Sequence, residues 1–333
     1  MYRVKWFFWN TTEKRLRAGW RVAIHFVLWI YTPALLKLLF GNSLGHWLPG
    51  AFAADERMRD LLTEFALRLP AIILSTWLMV HWVDQRAFTA LGFHADMQWW
   101  LDFAFGLVLG ALLMLFIFGS EWLAGWVTVT NTLQTANVPL SFPLVLTGPL
   151  LIFIVVGLTE ELLARGYQLH NLAEGFFFPY VGASGTVVAA WLVSSLFFGL
   201  LHVNNPHSSW YSTFALMLVG LFFGLGYILT GELAIPIGLH ITWNFFQGSV
   251  FGFPVSGRDF GHITLFAIQQ QGPSFWTGGA FGPEAGMIGL VAILLGCLAT
   301  LLWIRWRYGR LTLCTALAHY ARPMSGKPTV RNS

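Results

Sequence analysis

Hydrophobic positions in this chain come in long unbroken runs, not in the short alternations of a soluble domain. Apolar stretches near 22–40, 68–84, 101–126, 145–169, 184–203, 210–230, 233–252 and 286–304 each approach the ~20 residues that cross a ~30 Å hydrocarbon core. Eight such runs predict eight membrane-spanning helices, an all-α polytopic fold with both termini on one side. The first run is too long for a signal-peptide core and reads as an uncleaved first span. The connection 41–67, with Asp55, Glu56, Arg57, Arg59 and Asp60, reads as polar loop. Residues 127–142 carry no charge, and the Gly-, Pro- and Phe-rich stretch 253–285 reads as another loop.

Composition sharpens this. The chain of 333 residues is 56% hydrophobic and 10% charged, whereas a soluble domain carries about 25% charged residues. The net charge is +4, yet the basic residues gather at the two ends, which points to a membrane surface and away from nucleic acid. Arg3, Lys5, Lys14, Arg15, Arg17 and Arg21 are interleaved with Trp6, Phe7, Phe8 and Trp9 in an interfacial segment 1–21. Arg305, Arg307, Arg310, Arg322, Lys327 and Arg331 fill the tail 305–333. With Arg86 and Arg165 these make fourteen of the 19 basic residues on the termini's side, against Lys37, Arg57, Arg59, Arg68 and Arg258 on the other. The positive-inside rule then puts both termini in the cytoplasm. The organisation expected is the segment 1–21, three spans over 22–144, a core over 145–252, a loop and last span over 253–304, and the tail. Cys297 and Cys314 have no metal or redox spacing, and no feature sets an oligomeric state.

Charge inside the fourth run changes the picture most. Glu160, Glu161 and Arg165 close a membrane-length apolar helix, where ionisable groups are expensive and mark functional cavities. Glu161 and Arg165 are i,i+4 neighbours able to pair. Glu160 is turned about 100° away and left for chemistry. Two more polar clusters end or interrupt later runs: Phe198 with His202, and His240 with Asn244, each at i,i+4. Taken singly, each has a bland reading. The carboxylates could be a solvated helix end, Arg165 an anchor, His202 a helix cap, His240 an interfacial histidine, and Asn244 glue between helices. Together the clusters supply a general base, a water-orienting imidazole, and an imidazole and an amide for a developing oxyanion.

These clusters, in this order, resemble the CAAX-protease and bacteriocin-processing family of intramembrane endopeptidases, which includes the Ras-converting CAAX endopeptidase and the bacterial Abi proteins. The family pattern is EExxxR, FxxxH and HxxxN or HxxxD. Here it reads Glu160-Glu161-Leu162-Leu163-Ala164-Arg165, Phe198-Gly199-Leu200-Leu201-His202 and His240-Ile241-Thr242-Trp243-Asn244. The resemblance implies an endopeptidase acting on a membrane-associated polypeptide in the bilayer, without a metal. Glu160 would activate water, His202 orient it, and His240 and Asn244 stabilise the oxyanion. Glu161, Arg165 and Phe198 would support the site. Two alternatives stand beside this. Zinc could be held by Glu160, His202 and His240, although no HExxH motif is present and Asn244 is an unusual neighbour for zinc. A non-enzymatic scaffold, immunity factor or transport component could use the same polar cavity for binding.

The chamber is expected between spans four, five and seven, opening to the cytoplasm or its leaflet. Of the other polar residues, Asp102 is expected at the start of span three, Glu121 at the membrane interface, and His207 and His262 in loops. Lining the substrate entrance is the minor reading for His170 and Glu174. Gly220, Gly224 and Gly226 suit close helix packing.

Overall fold

The computed structural model describes residues 7–45, 56–136, 138–176, 180–260 and 263–320. His262, expected in a loop, lies outside them. Helix α1 covers Ala18–Gly45, and α2 covers Glu56–Leu78 with a π-helical extension over Met79–Val83. Helix α3 covers Met97–Leu123, followed by strand β1 over Val127–Thr135. Helix α4 starts at Phe142 and continues to Gly175; α5 covers Gly182–Leu200 and α6 Trp210–Thr230. Helix α7 covers Ala234–Phe245 with a π-helical end to Val250; β2 covers Ile263–Gln270 and α8 Met287–Tyr308.

Seven of these helices are long and apolar enough to cross a membrane, so the protein is an all-α, multi-pass integral membrane protein. The eighth expected span is α7 with its extension. At 1.5 Å per residue its 17 residues reach about 25 Å, and it is wrapped by other helices. Three expectations about connections need correction. The polar stretch 41–67 includes the start of α2, because Glu56, Arg57, Arg59 and Asp60 sit on its first turns. The uncharged 127–142 and the expected loop 253–285 each hold a strand. Val127-Thr-Val-Thr and Ile263-Thr-Leu-Phe are rich in β-branched residues, which fit a pleated ribbon. The strands pair antiparallel from Val127 opposite Gln270 to Thr135 opposite Ile263, with an irregularity between Val129 and Asn131.

Local chemistry sets the ends of several helices. The Asp96 side chain accepts from the Trp99 N–H at 2.8 Å and caps α3. Ser209 and Ser212 form a reciprocal cap on α6, and Gly231 ends it at φ 77°. Helices α3 and α7 run parallel in close contact at glycines. A Cβ at Gly106 would lie 2.5 Å from the Ile235 carbonyl oxygen, and one at Gly110 2.6 Å from that of Leu239. Gly238 sits equally close to Phe103. This is small-residue packing, and it sets the position of the helix that carries His240 and Asn244. Gly220, Gly224 and Gly226 likewise face Ser195, Trp191 and Ile235.

Two faces of the bundle follow from the contacts. At the termini's face, Arg86 and Arg15 each reach Glu174 at 2.8 Å, and Arg21 bridges Asp84 and Glu174 at 3.1 Å. At the opposite face lie the β1–β2 ribbon and the Lys37–Glu64 pair. His170 and Glu174 belong to the first cluster, with His170 Nε2 2.8 Å from Arg86. They do not line the chamber described below, so the entrance reading is set aside. Glu121, near the end of α3, is fully buried within the protein, and its Oε2 accepts from Gln270 Nε2 at 2.7 Å. Asp102 sits a turn inside α3, accepting from Trp303 Nε1 at 2.7 Å.

Candidate active site

Helix α4 changes its winding at the carboxylates. It is α-helical over Phe142–Glu161 and π-helical over Leu162–Leu169, a device that recurs at functional sites. Consecutive residues point about 100° apart, and the two glutamates therefore meet different surroundings. Glu161 turns inward and is fully buried. Its Oε1 accepts from Arg165 Nη1 and from His240 Nδ1, both at 2.8 Å. Arg165 also donates from Nη2 to the Gly220 carbonyl at 2.7 Å, and its guanidinium lies 4.7 Å from the Phe198 ring centre. A buried charge is stable only when paired in this way.

Glu160 turns instead into a cavity of about 200 Å³, room for several waters at about 30 Å³ each. Its side chain is 18% exposed. Oε2 lies 4.0 Å from His202 Nε2 and Oε1 lies 3.9 Å from Arg68 Nη2. Both separations exceed a hydrogen bond. His240 and Asn244 of α7 line the same cavity, as do Phe198 of α5, His202 in the turn after it, and Phe223 of α6. The structure therefore brings Glu160, His202, His240 and Asn244 around one space, with Glu161 and Arg165 behind them and Phe198 in the wall.

The partners settle how each imidazole is protonated. His202 Nδ1 lies 2.8 Å from the Phe198 carbonyl oxygen. A carbonyl only accepts, so Nδ1 carries the hydrogen and neutral His202 presents a lone pair at Nε2. His240 Nδ1 faces the Glu161 carboxylate and carries its hydrogen for the same reason. Its Nε2 then donates only when the ring is an imidazolium. The Phe223 ring, 4.8 Å away, packs on it.

The residues of the zinc alternative share this cavity without standing at metal-ligand spacing. His202 faces Glu160 while His240 Nδ1 is occupied by Glu161, and among the described residues no three His, Cys, Asp or Glu side chains group as metal ligands.

Two cavity residues escape the sequence reading. Arg68 counts there only as a basic residue outside the core, although Glu64 and Arg68 form an i,i+4 polar pair on an apolar helix, a signal of the same kind as Glu161 and Arg165. Glu284 falls in an expected loop. It is 2% exposed and lines the cavity. Its Oε1 accepts from the Ser256 N–H and, at 3.0 Å, from Ser256 Oγ, and its Oε2 accepts from Gln247 Nε2. Burial pushes the Glu284 carboxyl up to about 7, against the opposing pull of these hydrogen bonds. Nothing local in Gly282-Pro283-Glu284-Ala285 signals that burial.

The cavity also has a direction within the bundle. Its inner end is closed by Leu163, Ala164 and Phe223, all buried. Its outer rim is made by Asn205, Ser256 and the exposed Arg258, which follow α5 and α7 at the face opposite the termini. The chamber opens away from the termini.

Residues 142–246 match a family model described as Rce1-like, type II CAAX prenyl endopeptidase Rce1-like. Comparison with curated proteins and with solved structures gave no match. The matched segment holds α4 to α7 and all three motifs, and it supports the resemblance to the CAAX-protease and bacteriocin-processing family.

Proposed function

We propose that this protein hydrolyses a peptide bond in a membrane-associated polypeptide, using a water held between Glu160 and His202. The observation that carries the reading is the unequal treatment of two adjacent carboxylates. Glu161 is paired with Arg165 at 2.8 Å, while Glu160 stands about 4 Å from Arg68 and His202 in a cavity of about 200 Å³. A water there donates one hydrogen to Glu160 Oε2 and the other to His202 Nε2, leaving a lone pair for attack. Glu160 takes a proton as the water oxygen bonds to the scissile carbonyl carbon. The oxyanion is met by the Asn244 amide and by His240 Nε2–H, the imidazolium being supported by Glu161. The proton on Glu160 passes to the leaving amine as the C–N bond breaks.

The reading holds no metal in a catalytic role. It divides the chain functionally as the sequence did, with the catalytic core over 145–252 and both ends cytoplasmic. Glu160→Gln keeps the shape of the side chain and removes the base. Cleavage of a peptide library by the purified protein should fall by about 10²–10⁴-fold, with no change in the unfolding transition. Metal content is measured on the same preparation. Undiminished cleavage by Glu160→Gln would sink the mechanism. Cleavage by the wild type with one bound zinc per chain would recast Glu160, His202 and His240 as ligands.

A further inference from the structure

The fold carries information about which side of the membrane supplies the substrate. The contacts fix the bundle's two faces independently of any catalytic reading. Helix α1 packs antiparallel on α2, with His25 3.0 Å from Thr76 near one end and Lys37 3.2 Å from Glu64 near the other. Tyr320, after the last helix, donates to the Gln85 carbonyl at 3.3 Å and lies under the Arg15 guanidinium. The first and last described segments therefore share one face. At the other face the Gly257 N–H donates to the Phe281 carbonyl, joining the stretches after α7 and before α8. A Cβ on Gly257 would also run into the Pro206 carbonyl, so the turn after α5 is at this face as well.

The chamber is asymmetric between these faces. Towards the termini, packed core around Leu162, Tyr167, Tyr227 and Ile237 lies below His240. Beyond it comes the buried cluster of Arg15, Arg21, Asp84, Arg86 and Glu174. No cavity residue comes from that cluster. Towards the other face, the rim residues Asn205, Ser256 and Arg258 lead outward beside the β1–β2 ribbon.

Charge then orients the faces. Arg165 lies in the interior as the partner of Glu161. Arg68 lies in the chamber beside Glu160. Of the other basic residues among those described, eight (Lys14, Arg15, Arg17, Arg21, Arg86, Arg305, Arg307 and Arg310) sit on segments of the termini's face and four (Lys37, Arg57, Arg59 and Arg258) on segments of the other. The positive-inside bias places the termini's face in the cytoplasm.

We infer that the chamber opens to the extracytoplasmic side, and that its substrate is an exported polypeptide presented at the outer leaflet rather than a cytosolic chain end. What is done to that polypeptide rests on the peptidase reading; the side on which the chamber opens does not.

The full chain is tested in the bacterial plasma membrane, with Cys297→Ala and Cys314→Ala as background. Asn204→Cys puts a thiol at an exposed position beside the rim, and Arg310→Cys puts one at an exposed position on the termini's face. A membrane-impermeant maleimide added to intact spheroplasts should label Asn204→Cys and leave Arg310→Cys unlabelled until the membrane is permeabilised. The reverse pattern, or equal labelling of both, overturns the inference. Peptide-library cleavage is then compared in right-side-out and inside-out vesicles, each with its Glu160→Gln control. Cleavage confined to right-side-out vesicles and lost in the control supports an exported substrate. Cleavage confined to inside-out vesicles overturns it. Expected labelling with no Glu160-dependent cleavage in either orientation overturns the peptidase reading, and the substrate with it, while the sidedness stands.

Discussion

Replacing Arg165 by Met should cost far more than replacing Glu161 and Arg165 together. Both side chains are essentially inaccessible, at 1% and 0% exposure, and they meet at 2.8 Å. Arg165→Met leaves the Glu161 carboxylate buried with only the His240 N–H facing it. Breaking a buried pair from one side costs about 3–5 kcal/mol, whereas replacing both members with uncharged groups is often close to neutral. Here the double variant also loses the bond from Arg165 Nη2 to the Gly220 carbonyl, and a hydrogen bond to a charged group contributes about 1.5–3 kcal/mol. Glu161→Gln/Arg165→Met should therefore recover at least half of what Arg165→Met loses. Reversible unfolding in mixed micelles measures this as a double-mutant cycle. Cleavage should not recover with stability, because a neutral amide in place of the Glu161 carboxylate no longer supports the His240 imidazolium. A double variant as unstable as the sum of the singles would refute the argument, since the pair would then not be compensating for lost hydration. Full recovery of cleavage would refute the role given to Glu161.

Three further outcomes are expected. His202→Ala should lower kcat by about 10²-fold by releasing the water, and shift unfolding by less than about 1 kcal/mol because the ring is partly exposed to the cavity; cleavage equal to wild type would remove His202 from the mechanism. Gly110→Ala should destabilise by about 1–3 kcal/mol through overpacking and lower cleavage although no cavity residue is changed, because a Cβ there meets the α7 backbone that carries His240; unchanged unfolding would show that α3 and α7 can move apart. Glu284, raised by burial from 4.5 to about 7, binds its proton more tightly in the folded state. Its contribution is present below about pH 4.5 and lost as pH rises through about 7, a span of about 3 kcal/mol at most. Unfolding at pH 5 and pH 8 should show that slope in the wild type and a flatter one in Glu284→Gln.

The parts of the site legible in the sequence are those set by one helix. The i,i+4 spacing paired Glu161 with Arg165, and the 100° step turned Glu160 elsewhere. The same periodicity put His240 and Asn244 on one face of α7. What remained hidden depends on contacts between helices. Nothing local tells that His240 Nδ1 reaches back to Glu161, 79 positions earlier, or that Glu284 is folded into the wall. Arg68 carried a local signal in its spacing from Glu64, but a basic residue near a helix start reads first as an interfacial anchor. The strands escaped because uncharged Val, Thr and Phe resemble loop between membrane runs until their partner is known. The direction of the chamber escaped because Glu160 sits near the middle of α4, where sequence distance to either end says little; the rim turns after α5 and α7 decide it.

The same distances bear on the choice between a hydrolase and a polar scaffold. A scaffold that needs a buried charge for specificity is served by Glu161, Arg165 and His240, joined through Glu161 Oε1 by two bonds at 2.8 Å. It gains nothing from a second carboxylate beside them. Taking Glu160 out of bulk water costs free energy, and that cost would be offset most simply by letting it close on Arg68 or His202. Instead the three groups stand 3.9 and 4.0 Å apart, too far to bond directly and close enough to hold a small molecule between them. An arrangement that leaves one carboxylate open while its neighbour is locked is what activation of a water requires. Arg68→Gln discriminates: it should alter the rate of cleavage, because it changes the field on Glu160, and leave the Glu161–Arg165 coupling energy unchanged. A fall in that coupling would mean that Glu160 and Glu161 form one structural cluster, and the division of labour between them would fail.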